Sequence, residues 1–276
     1  MVVCAVTLSV ATCAGAAPRY RVHTFSFVDH SRAIALPSGR REARPITTVV
    51  RYPTSPGRHP LVVFAHGFAL VPGSYARLLD AWARAGYVVA APIFPLTNAH
   101  APGGPNESDL INQPRDVSFA ISRLLTVAAL AGRIDPARIA VAGQSDGGVT
   151  ALAVSYDSRF RDRRIRAVVV LSGARLGGMG PFPRHGPPLL AMQGTADTIN
   201  PPGATEAYFG LAPRPKYLVW LVGAEHLPPY TYEEPQLAVV DRATLAFLGH
   251  YLLGHPLAAF LAAAHRPGIT RLVSQP

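Results

Sequence analysis

The chain has 276 residues, of which 49% are hydrophobic and 15% charged; this excludes general disorder and suits a single domain built on one large core. Its net charge of +10 comes from dispersed arginines, Lys216 being the one lysine, and without a basic run or interleaved aromatics nucleic acid is not an expected partner. No internal apolar run reaches the length of a bilayer span.

Residues 1–16 read as a leader. Val2 to Ala14 is apolar and small, and Ala14-Gly15-Ala16 offers an A-x-A cleavage pattern. The basic start of a secretory signal is missing, so a buried first strand is the competing reading. Cys4 and Cys13, the two cysteines of the chain, both fall in this segment, so a mature chain of residues 17–276 has no disulfide and no thiol nucleophile. Val10-Ala11-Thr12-Cys13 loosely matches a lipid-anchor site, with Thr12 a poor fit. The expected destination is secretion or the cell envelope.

From Tyr20 onward, apolar runs alternate with helical stretches. Strands are expected over residues 23–28, 46–52, 61–65, 87–91, 139–142, 167–172, 188–193 and 217–222, and helices over 75–85, 114–128, 147–156, 203–209 and 235–253. The later strands are unbroken β-branched and apolar runs, as parallel strands covered on both faces require. Alternation of this kind predicts an α/β fold with a doubly wound, mostly parallel, eight-stranded sheet. Two Pro/Gly-rich stretches, 94–113 and 175–188, read as loops at the carboxyl edge of the sheet, where such folds hold ligands. Neither accommodates a large lid, so the expected site is open.

Within this order, Arg138-Ile139-Ala140-Val141-Ala142 runs straight into Gly143-Gln144-Ser145-Asp146-Gly147 and then into a helix. A serine on so tight a strand-to-helix turn needs small residues two positions before and after it, and Gly143 and Gly147 supply them. The helix start aims free N–H groups at the same point. Together these features resemble the α/β-hydrolase superfamily, and more narrowly its dienelactone hydrolase-like and cutinase-like branch of esterases and polyester hydrolases. Cutinase-like enzymes carry a disulfide near the C-terminus, which this chain lacks.

A serine hydroxyl needs a histidine base and a carboxylate that orients it. The resemblance implies the order Ser, acid, His, which falls on Ser145, Asp197 in Gly194-Thr195-Ala196-Asp197, and His226 in Gly223-Ala224-Glu225-His226. It also implies an oxyanion hole from the backbone N–H groups of Asp146 and of Phe68 in His66-Gly67-Phe68. The Phe68 ring is expected in the acyl pocket, His66 as a brace of its loop, Glu225 in solvent and Asp116 as a structural residue in the first turn of a helix. An acidic residue at position 146 departs from many relatives and disfavours anionic substrates. Carboxylic ester hydrolysis of carboxylesterase, lipase or polyester hydrolase type is the expected activity, with no cofactor and no metal. A serine peptidase of the oligopeptidase kind and a non-catalytic envelope-binding protein are the competing functions.

Overall fold

The computed structural model describes residues 19–276. The expected leader, its cleavage pattern and Cys13 lie outside the described residues. Strands β1 (Tyr20–Ala35), β2 (Arg41–Pro53), β3 (His59–Ala65), β4 (Val88–Ile93), β5 (Ile134–Gln144), β6 (Ile165–Leu171), β7 (Leu189–Gly194), β8 (Lys216–Leu221) and β9 (Thr270–Gln275) form one sheet. Its order is β1-β2-β4-β3-β5-β6-β7-β8-β9. Strands β3 to β8 run parallel, while β1, β2 and β9 pair antiparallel at the flanks.

The parallel strands are buried on both faces, and successive residues divide between two cores. Leu61, Val63 and Ala65 of β3 join one core with α2 (Gln113–Thr126), α3 (Asp146–Tyr156) and α4 (Pro202–Leu211). Val62 and Phe64 join the other with α1 (Ala76–Arg84), α5 (Gln236–Leu253) and α6 (Leu257–Ala264). Each large apolar side chain so enclosed contributes about 1.5–3 kcal/mol of transfer free energy. Trp82 of α1 is fully buried and satisfies its indole N–H on Thr244 Oγ1 of α5 at 2.9 Å. This is the doubly wound α/β-hydrolase architecture, with nine strands among the described residues where eight were expected.

The ninth strand and α6 have weak local signals. In β9 only Leu272 and Val273 are large and apolar, and the strand pairs with β8 on one side alone. Gly254, at φ 77°, stops α5, and α6 follows after Pro256 by packing Phe260 against Phe247. The loop expected over 94–113 holds a 3-10 turn, Glu107–Asn112. That turn is fastened to the sheet through Arg44 of β2, which makes paired hydrogen bonds to Asp109 (3.0 and 2.6 Å) and to Asp116 of α2 (2.7 and 2.6 Å). Arg32 also reaches Asp116, at 2.8 Å. The arginines are less dispersed than the sequence reading holds: Arg161, Arg163 and Arg166 line one cleft of about 320 Å³ with His185, at the amino edge of β6 and away from Ser145.

Candidate active site

Ser145 stands between the last residue of β5 and the first of α3, with φ 56° and ψ −122°. No L-residue relaxes there, and holding a non-glycine residue in such a region costs about 1–3 kcal/mol. The surroundings enforce it. A Cβ on Gly143 would lie 2.0 Å from Gly147 O, and one on Gly147 would lie 1.9 Å from Ala65 O. Both contacts are with backbone, so alanine at 143 forces strand β5 and helix α3 apart, and alanine at 147 forces α3 away from the end of β3. The close approach leaves Ser145 partly exposed at the carboxyl edge of the sheet.

Ser145 Oγ lies 2.9 Å from His226 Nε2, and His226 Nδ1 lies 2.8 Å from Asp197 Oδ2. The three residues come from the ends of β5, β7 and β8, and His226 and Asp197 are both buried. Hydrogen bonding fixes the tautomer: Nδ1–H donates to the carboxylate and Nε2 accepts the serine hydroxyl. Asp197 Oδ1 accepts N–H bonds from Ile199 (3.0 Å) and Asn200 (2.9 Å), and Oδ2 also accepts Gln193 Nε2–H at 3.0 Å. Burial opposes ionisation of this carboxyl. The His226 ring, the Asn200 N–H and the Ser172 hydroxyl outweigh burial and hold it below the usual carboxylate range. Asn200 is held in turn by Ser172 O at 2.7 Å.

The loop after β3 faces this group. Phe68 N–H and Asp146 N–H donate to no acceptor among the described residues, and Asp146 opens helix α3, whose first amides carry the positive end of the dipole. His66 is fully buried; Nδ1–H donates to Gly67 O at 2.8 Å and Nε2 accepts Phe94 N–H at 3.2 Å. Burial pushes its pKa down to about 4, so the ring is neutral at pH 7 and braces the loop. Ala69 N–H donates to Thr97 O at 2.8 Å, and Thr97 Oγ1 accepts Gln113 Nε2–H at 2.8 Å. Two loops are thereby fixed to each other and to α2.

Asp146 is 9% exposed, and its Oδ2 has no partner among the described residues. Burial first, and Glu107 second, raise its pKa to about 6, against a smaller opposing pull from His226. Glu225 points to solvent. Asp116 is fully buried in the first turn of α2, where it pairs with Arg44. Beside Ser145 and His226 a cleft of about 350 Å³ opens, its walls mostly apolar and including Phe68, Leu70, Ile199 and Leu227. Phe68 is 37% and Ile199 69% exposed, so the cleft presents apolar surface to solvent.

Two buried polar residues of the site escape the sequence reading. Gln144 Nε2–H donates to His226 O at 3.0 Å, and its Oε1 accepts Tyr75 O–H at 2.7 Å. Tyr75 Oη accepts Gly67 N–H at 3.1 Å. The position of Gln144 inside the elbow was the available signal, whereas nothing near Tyr75 in the chain marks it.

A family model described as "Chlorophyllase" matches residues 23–202. Chlorophyllase-2 of Arabidopsis thaliana is 24% identical over 177 residues, which cover 63% of this chain and 54% of that protein; the chain spans about half the length of this curated relative. Among solved structures, the ferulic acid esterase from Streptomyces cinnamoneus superposes with a TM-score of 0.70 at 20% identity, covering 88% of this chain and 93% of that one. The structural likeness carries the fold, and the sequence match carries the family. With both flanks of the Ser145 elbow inside the matched segment, the chain belongs to the chlorophyllase family, on an α/β-hydrolase fold.

Proposed function

We propose that the protein is a serine carboxylic ester hydrolase that works through an acyl-enzyme on Ser145. One observation carries this reading: a continuous hydrogen-bonded chain from Ser145 Oγ through His226 to Asp197, at a strained turn beside two uncommitted N–H groups. Ser145 Oγ attacks the ester carbonyl carbon while its proton passes to His226 Nε2. The carbonyl π electrons move onto oxygen, where the N–H groups of Phe68 and Asp146 receive the charge; each such donor is worth about 10²–10³ in rate. Collapse of the tetrahedral adduct breaks the bond to the alcohol oxygen, which leaves with the proton from His226. Water then attacks the acyl-enzyme in the same way and frees the acid and Ser145. Asp197, held ionised, orients His226 and stabilises its protonated form.

The apolar walls at Phe68, Leu70, Ile199 and Leu227 favour an ester with a sizeable apolar arm, and Asp146 disfavours an anionic one. Chlorophyll and ferulic acid esters, after the names of the relatives, join aliphatic esters as the substrates to test. Export through the 1–16 segment belongs to the same proposal. The test is hydrolysis of p-nitrophenyl esters from acetyl to long acyl chains by the purified protein and its Ser145→Ala variant. Turnover in the parent alone, rising beyond acetyl, is the expected result; turnover that survives Ser145→Ala overturns the assignment.

A further inference from the structure

We infer that Tyr75 and Gln144 are positioning residues that lock the oxyanion loop, the nucleophile turn and the base into one register. The inference rests on the esterase reading above and deepens it. Three hydrogen bonds run in series beneath the site: Gly67 N–H to Tyr75 Oη, Tyr75 O–H to Gln144 Oε1, and Gln144 Nε2–H to His226 O. Each end is next to a reacting group. Gly67 precedes Phe68, Gln144 precedes Ser145, and the last bond falls on the backbone of His226 itself. Residues 67, 144 and 226 come from the ends of three different strands, so local structure alone sets no fixed spacing among them.

The parts fit this task and little else. Tyr75 and Gln144 are both 0% exposed, so neither contacts bulk solvent. Gln144 must accept at one end and donate at the other; glutamate lacks the donor, and asparagine is shorter by a methylene. Tyr75 must donate and accept through one oxygen, and burial drives its phenol pKa above the ordinary value, so the hydroxyl keeps its proton. Its ring is clamped against Phe64 at a centroid distance of 4.7 Å. Gly67 completes the fit: a Cβ there would meet Gln144 Oε1 at 2.7 Å and Tyr75 Oη at 3.2 Å. Glycine at this position makes room for the relay, and a larger residue would push it away from the loop it holds.

Misplacing a reacting group by about 1 Å costs on the order of 10² in rate, so loosening this relay acts on turnover more than on binding. The experiment compares the parent, Ser145→Ala, Tyr75→Phe, Gln144→Met and the double variant on a p-nitrophenyl ester. The acyl-enzyme burst counts competent sites and a thermal melt checks the fold. Expected for each single variant is a kcat per competent site about 10–100-fold lower with KM within about threefold. Members of one relay fail together, so the double variant should fall about as far as the worse single rather than to the product of both losses. If Tyr75→Phe does not fold, Gln144→Met carries the comparison.

Unchanged kcat in the variants, a change in KM alone, or fully additive losses overturns the positioning role while leaving the esterase intact. A folded parent with no burst, matched by Ser145→Ala, overturns the esterase reading and the relay with it.

Discussion

Two regions of the molecule bury polar groups in opposite ways. At the β2 flank, Arg44 is 2% exposed and has both of its carboxylate partners, Asp109 and Asp116, bound in paired fashion. All three guanidinium nitrogens of Arg44 are spent. At the carboxyl edge, Asp197 is equally saturated, yet the groups it supports are not: Ser145 Oγ is partly exposed, and the N–H groups of Phe68 and Asp146 have no protein acceptor among the described residues. Saturation fixes a fold, while donors held rigid and left open receive charge that develops later. The flank is closed on itself, and the edge keeps open donors of the kind that the proposed reaction requires.

Substitutions that break this contrast differ in size and in kind. Ser145→Ala should lower kcat by about four orders of magnitude or more with the melting temperature nearly unchanged, since the nucleophile contributes little to packing. Asp197→Asn should cost about 10³–10⁴ in kcat by offering His226 the wrong partner for its Nδ1–H, read out by steady-state kinetics on folded protein. At the flank the effect changes kind: Asp116→Ala takes from buried Arg44 one of its two carboxylates and from Arg32 a buried partner, and should cost about 3–5 kcal/mol in denaturant unfolding, with kcat per folded molecule retained. A loss of kcat in that variant beyond its unfolded fraction would erase the distinction between the two regions.

Asp146 sharpens the comparison through pH. Its folded pKa is raised to about 6, so between the unfolded value and 6 the native chain binds the extra proton. Stability from this group is therefore present at low pH and lost as pH rises through 6. Asp146→Asn should stabilise the protein at pH 8 by up to about 3 kcal/mol and flatten the melting curve against pH between 4 and 7. Removing that charge beside the oxyanion donors should also raise kcat a few-fold above pH 7. The smallest effect is expected at the cleft wall: Ile199→Ser should raise KM for long acyl esters about fivefold, near 1 kcal/mol, and leave acetyl esters unchanged.

Much of this is legible in the chain because the decisive constraints are local. The Gly143 and Gly147 spacing follows from backbone contacts of 2.0 and 1.9 Å, and the unbroken apolar runs follow from a sheet covered on both faces. The juxtaposition of Ser145, Asp197 and His226 is legible in chain order, since parallel strands deliver their ends to one edge. What escapes has no local signature. Tyr75 meets Gln144 across 69 positions, and Arg44 meets Asp116 across 72; neither separation leaves a period or a motif. Strand β9 is hidden by its few apolar residues, because an edge strand with one partner needs only a narrow buried face. The clustering of Arg161, Arg163 and Arg166 is local, three arginines within six consecutive positions; what the chain does not show is that the segment at His185 closes the other side of their cleft.

The central claim is that Ser145 is the one hydroxyl activated for attack. It is tested most directly by treating the purified protein with an alkyl fluorophosphonate and mapping the adduct by peptide mass spectrometry. The account predicts one phosphonyl group per chain on Ser145, with labelling lost in Ser145→Ala and strongly slowed in His226→Ala. An adduct on another serine, or equal labelling of the parent and Ser145→Ala, would contradict it.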